Sequence, residues 1–120
     1  MNRKIKFRVW DSHHKTMDLV ESLKFSENGS IFEINTDNYI NIPNEDLTLM
    51  QFTGLLDKNG KEIWEGDIVH PHHHKSRLRQ VTWDETFAMF RLDTLTLSTH
   101  HCQDMEVLGN IHEHPELIKG

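Results

Sequence analysis

The chain has 120 residues, 36 % of them hydrophobic, with 13 basic and 19 acidic side chains and a formal charge of -6. That length suits one ordinary domain with a buried core, and the acidic balance denies the chain as a whole the positive field of a dedicated nucleic-acid binder. A single cysteine, Cys102, excludes an intramolecular disulfide and fits a reducing compartment.

In chain order, Lys4-Ile5-Lys6-Phe7-Arg8-Val9-Trp10 alternates charged and apolar residues, which predicts a half-buried strand with Ile5, Phe7 and Val9 on one face. The same alternation interrupts any signal-like apolar stretch, and no run approaches the roughly 20 apolar residues that span a bilayer. A soluble protein of the cytoplasm with no membrane partner is expected. Asp11-Ser12-His13-His14-Lys15 reads as a turn, and Met17 to Phe25 carries apolar residues of ambiguous period. Glu27-Asn28-Gly29-Ser30 is a turn signal ahead of a short strand, Ile31-Phe32-Glu33-Ile34. Tyr39-Ile40-Asn41-Ile42 is a brief extended piece, interrupted by Pro43-Asn44-Glu45-Asp46.

The run from Leu49 to Val69 is the densest structural signal. Leu55-Leu56 and Ile63-Trp64 flank Asp57-Lys58-Asn59-Gly60, and Asn59-Gly60 predicts a type I′ hairpin turn with positive φ at both residues. Glu65-Gly66-Asp67 makes a second turn before the strand beginning Ile68-Val69. After a polar loop from His70 to Arg79, Gln80 to Trp83 and Phe87 to Leu92 form a strand, turn and strand. Leu95 and Leu97 alternate with threonine and serine, and Met105 to Ile111 completes the strands. No long helical stripe occurs. The fold class is mainly β, α+β at most: several coiled antiparallel sheets, including a small Src-homology-3-type barrel, with one or two short helices. A single domain over residues 1–120 is expected, with an N-terminal β region over about 1–48 and the hairpin and barrel over about 49–120.

Three groups of residues invite chemistry. His70, His72, His73 and His74, with His100, His101 and Cys102 some thirty residues later, offer imidazole and thiolate ligands suited to zinc. Neighbouring histidines in an extended loop point in alternating directions, however, and no His-x-x-x-His or Cys-x-x-Cys pair is present. Adventitious metal binding, or none, is the plainer reading. Lys75, Arg77 and Arg79, followed by Trp83, offer phosphate contacts beside a stacking ring, though such alternation is more often a solvated edge. Glu62, Glu65 and Asp67 cluster near a turn without any sign of convergence, and Asp57-Lys58-Asn59-Gly60 fails as a calcium loop because Lys61 and Ile68 stand where ligands belong. Trp10, Trp64 and Trp83 sit in strand contexts where core packing is the common outcome. No phosphate-cradling loop, nucleophile elbow or dinucleotide fingerprint appears, so no catalytic residue, no enzyme activity and no cofactor are expected.

Four stretches taken together resemble the YopX family of phage and prophage proteins: Ile5 to Asp11, Leu49 to Val69, Val81-Thr82-Trp83-Asp84-Glu85, and Glu106 to Leu117 with its Gly109-Asn110-Ile111-His112-Glu113-His114-Pro115 core. The resemblance spans nearly the whole chain and is loosest over residues 12–48 and 70–79. It implies a β-rich fold containing the small barrel, a mobile-element origin in a bacterial host and self-association. It implies no reaction. The expected function is a non-enzymatic, oligomeric binding or assembly module whose partner is a phage or host protein. The alternatives are a nucleic-acid-binding small barrel and a metal-dependent hydrolase using the histidine-rich loop.

Overall fold

A computed structural model describes residues 3–37, 39–71, 78–92, 95–96 and 104–118. The chain is mainly β, built from antiparallel sheets. It divides into two units, Ile5–Gln51 and Phe52–Gly120 with Met1–Lys4.

In the first unit, β1 (Phe7–Asp11), β2 (Thr16–Phe25), β3 (Ile31–Thr36), β4 (Ile40–Asn41) and the first half of β5 (Leu47–Leu56) pair in the order β4-β3-β2-β1-β5. The stretch of ambiguous period thus becomes a strand of ten residues. β1 lies between β2 and β5 and buries both Val9 and Trp10, at 2 % and 9 % exposure. Successive side chains point to opposite faces, so this central strand is covered on both sides, whereas alternation predicted burial of one. Ile5, expected on the buried face, precedes the strand and is 58 % exposed.

In the second unit, the rest of β5 pairs with β6 (Glu62–Trp64), and the tilted rings of Phe52 and Trp64 meet at 5.5 Å. β7 (Asp67–Pro71), β8 (Arg79–Asp84), β9 (Met89–Leu92), β10 (Leu95–Thr96) and β11 (Met105–Asn110) follow in the order β10-β9-β8-β7-β11. The described strands form an open sheet, so the expected barrel is not closed among them. Its core gathers Ile63, Val69, Val81, Leu92, Met105 and Val107. Each such side chain contributes about 1.5–3 kcal/mol by leaving water. The helical content among the described residues is one short 3-10 turn, Pro115–Leu117.

The hairpin at Asp57 departs from the expected turn type. Gly60 has φ 81°, while Asn59 is absent from the left-handed region. Gly60 N donates to Asp57 O at 3.0 Å, and Asp57 N to Lys61 O at 2.8 Å. This is a type I turn followed by a left-handed glycine, the usual alternative to the primed turns. The reason lies in Asp57 itself, whose Oδ1 accepts from Asn59 N at 2.8 Å and Lys61 N at 2.9 Å and holds Asn59 in the right-handed turn. Ser26 to Ser30 repeats the arrangement, with Gly29 at φ 89° and the Asn28 carboxamide oxygen accepting from Ser30 N.

Candidate functional site

The first unit holds a cavity of about 360 Å³ lined by Val9, Asp11, His14, Thr16, Asp18, Tyr39, Asn41 and Leu47. Register explains its floor. Val9 stands opposite Asp18 on β2 and opposite Leu49 on β5, while Asp11 stands opposite Thr16 and Leu47. Directly opposed residues share a face, so Val9, Asp11, Thr16, Asp18 and Leu47 all project to the same side. Tyr39 and Asn41 come from the far end of the sheet, where Asn41 pairs with Ile34 and Tyr39 O accepts from Thr36 N at 2.9 Å.

The β1–β2 turn fixes the charged end. Asp11 Oδ1 accepts from His13 N at 2.9 Å and His14 N at 3.1 Å, and Asp11 Oδ2 lies 2.7 Å from His14 Nδ1. The His14 ring, with these backbone donors, holds the Asp11 carboxyl below its usual range. Asp18, by contrast, has no hydrogen-bonding or ionic partner among the described residues. Further along β2, a hydrogen bond with Asp37 pushes the Glu21 carboxyl up, as expected where two acids meet.

An aspartate–histidine pair invites comparison with acid–base machinery, but a nucleophile must lie within hydrogen-bond reach of the imidazole. Among the described residues, His14 makes no hydrogen bond to a hydroxyl or thiol. Nor does any group of three or more His, Cys, Asp or Glu residues among them come together to hold a metal ion. The cavity has an apolar floor in Val9 and Leu47, an aromatic residue in Tyr39, and polar side chains in Asp11, His14, Thr16, Asp18 and Asn41.

Of the residues expected to bind nucleic acid, Arg79 and Trp83 occupy one face of β8 on either side of the buried Val81. They stand four positions apart, about 13 Å along a strand. Trp83 packs edge-on against Phe90 at 5.0 Å yet remains 45 % exposed, so it borders the core instead of filling it. Trp10 and Trp64 are buried. His70, half-buried on β7, stands opposite Glu106 on β11. Lys75, Arg77, His72, His73, His74, His100, His101 and Cys102 lie outside the described residues.

Sequence reasoning passed over Asp11, His14, Asp18, Tyr39 and Asn41. Asp11 and His14 carried only the signal of a turn, Asp18 fell in the stretch of ambiguous period, and Tyr39 and Asn41 in a brief extended piece. A broader pattern was legible, however: an Asp or Asn opens turn after turn. Asn44 accepts from Asp46 N, Asp84 from Thr86 N and Phe87 N, and Asn110 from His112 N and Glu113 N. Such side chains mimic a backbone turn by capturing donors two and three residues ahead.

The terminal motif is built the same way. β11 bulges between Val107 and Gly109, leaving Leu108 outside the ladder and 40 % exposed. A Cβ at Gly109 would come within 2.5 Å of His114 Nδ1, and that nitrogen faces the Asn110 N–H at 3.3 Å. Gly109 therefore admits the histidine ring. Gly66, at φ 88°, donates to Val81 O and accepts from Ile111 N, tying its turn to β8 and to the end of β11.

Two antiparallel sheets joined by hydrogen-bonded turns define a small, mainly β protein. A family model described as YopX protein matches residues 6–119, and the chain belongs to the YopX family. It is similar to the crystal structure of protein EF1440 from Enterococcus faecalis, with 29 % identity and a TM-score of 0.74 over 98 % of this chain and 100 % of that one. It shares its fold with the protein yopX from Bacillus subtilis, at 21 % identity and a TM-score of 0.61 over 95 % of this chain and 98 % of that one. No curated protein matches the chain.

Proposed function

We propose that this chain is a phage-derived, non-enzymatic binding or assembly module that self-associates in the bacterial cytoplasm and engages a phage or host protein. The observation that carries the reading is the engagement of its prominent carboxylates in turn geometry. Asp11, Asp57 and Asp84 each accept backbone N–H bonds, which spends their lone pairs on structure and not on a reacting atom. Exposed apolar side chains on the first unit, among them Leu19 at 63 %, Phe25 at 55 % and Phe32 at 52 %, supply surface for association. Light scattering coupled to size exclusion should give a mass above that of one chain at high protein concentration. A strictly monomeric protein, or substrate turnover abolished by Asp11→Asn, would defeat the proposal.

A second reading, nucleic-acid binding, is favoured by one observation beyond Arg79 and Trp83. Phe87 is 65 % exposed, and the Arg91 guanidinium lies 5.6 Å from its ring centre. Exposed aromatics beside arginine suit stacking on unpaired bases. Affinity for an oligonucleotide should then fall steeply with salt, and an absence of salt-dependent binding removes this reading.

A further inference from the structure

We propose that the cavity of the first unit is a receptor for an organic cation, an alkyl-ammonium or guanidinium group carried on a short aliphatic stem. This rests on the reading of the chain as a binding module and names what that module binds.

The chemistry of the lining points one way. Val9 and Leu47 offer apolar floor, Tyr39 an aromatic ring, Asp11 and Asp18 two carboxylates, and His14 an imidazole already bound to Asp11, while among the described residues no lysine or arginine lines the space. A cavity of about 360 Å³ holds a ligand at the small end of the usual range. Asp18 carries the argument furthest. It is a carboxylate on the inner face with no partner among the described residues, whereas Asp11 beside it is already engaged with His13 and His14. A cation entering the cavity would gain a charge-assisted hydrogen bond to Asp18 and the face of the Tyr39 ring.

A second, independent observation lies one strand further on. Val20 pairs with Thr36, and Val20 is two residues from Asp18, so the Thr36 side chain projects to the same face as the cavity. Thr36 is only 7 % exposed, and its hydroxyl oxygen has no hydrogen-bond partner among the described residues. Thr36 is not itself a lining residue, so it marks an unpaired acceptor beside the cavity and not a contact within it. Ammonium and guanidinium groups are donors with no acceptor, which matches the acceptors of the lining: the Asp11 and Asp18 carboxylates, the Thr16 hydroxyl and the Asn41 carboxamide oxygen. The neighbouring Glu21 and Asp37 add negative potential at that end of β2.

Such a group could arrive on a free amine or on the side chain of a partner protein, and the test separates them. The full chain is titrated with butylguanidinium, with its uncharged isostere butylurea and with a capped tripeptide bearing a central arginine, and amide chemical shifts are followed by NMR. Saturable shifts confined to β1, β2 and the segment around Tyr39 are expected from a cation and none from butylurea. Binding of butylguanidinium assigns a free small cation; binding of the peptide alone assigns a protein side chain. Asp18→Asn should weaken binding about tenfold. Because Asp18 holds no partner, its thermal midpoint should not move. Absence of saturable binding by either cation overturns the inference, as does equal binding of butylurea or undiminished binding by Asp18→Asn. None of these results bears on turnover or on oligomer mass, by which the broader reading is judged.

Discussion

Asp57→Ala should be the most damaging single polar substitution in the second unit. Asp57 is 6 % exposed and accepts three backbone N–H bonds: Oδ1 from Asn59 and Lys61, and Oδ2 from Val107 at 2.9 Å, fifty residues away. Beside it Lys58 N donates to Met105 O at 2.9 Å, so this one turn fastens the β5–β6 hairpin to β11. Leaving the buried Val107 N–H unpaired costs about 1–3 kcal/mol, and the two half-buried donors about 1 kcal/mol each. The loss comes to about 3–5 kcal/mol, a large share of the stability of a small domain. In a chain of this size that lowers the thermal midpoint by about 10–20 °C. Asp57→Asn, which keeps one acceptor oxygen but sets an amide donor against an N–H, should lose about 1.5–3 kcal/mol. Burial raises the Asp57 carboxyl, but the N–H groups of Val107, Lys61 and Asn59 outweigh it, and the group lies below its usual range. Its stabilisation is therefore complete above the unfolded value of about 3.9 and is lost as pH falls through the lower folded value. Urea unfolding across pH should show a wild-type–to–Asp57→Asn gap that is flat near neutrality and narrows in acid. A loss below about 1 kcal/mol for Asp57→Ala would refute the reasoning, since surface substitutions typically stay within ~0.5 kcal/mol.

Other substitutions probe the turns. Gly60→Ala should cost about 1 kcal/mol, the left-handed penalty less the entropy gained, because nothing lies within 4 Å of the added methyl group; Asn59→Ala should be near neutral in the same denaturation assay. Ala88 sits at φ 51° after the Asp84 turn, so Ala88→Gly should leave the stability unchanged or raise it by a few tenths of a kcal/mol. Gly109→Ala must displace the His114 ring and should destabilise by about 1–3 kcal/mol, with the His114 ring signals moving in NMR spectra. Elemental analysis after chelator-free purification should find no stoichiometric metal; one metal per chain would revive the hydrolase reading of the histidine-rich loop.

The sequence by itself determined what short-range geometry controls. Alternation placed most strands, and the Asp, Asn and Gly positions marked nearly every turn, since a side chain that captures an N–H two residues ahead needs nothing from the rest of the chain. Even there, one detail escaped. Asn-Gly suggested a primed turn, but the carboxylate of Asp57 selected a type I turn with a left-handed glycine. Only the tertiary structure decided which strands became partners, because pairing of β1 with β5, or of β7 with β11, depends on distant segments matching register. The same holds for burial of both Val9 and Trp10, which follows from the central place of β1 in its sheet. The cavity is wholly of this kind. Val9, Asp18, Tyr39 and Leu47 carry no shared signal in the sequence and line one space only because strand pairing brings distant segments together. Local hydrogen bonds write themselves into neighbouring residues, whereas a concave surface is a property of the whole sheet.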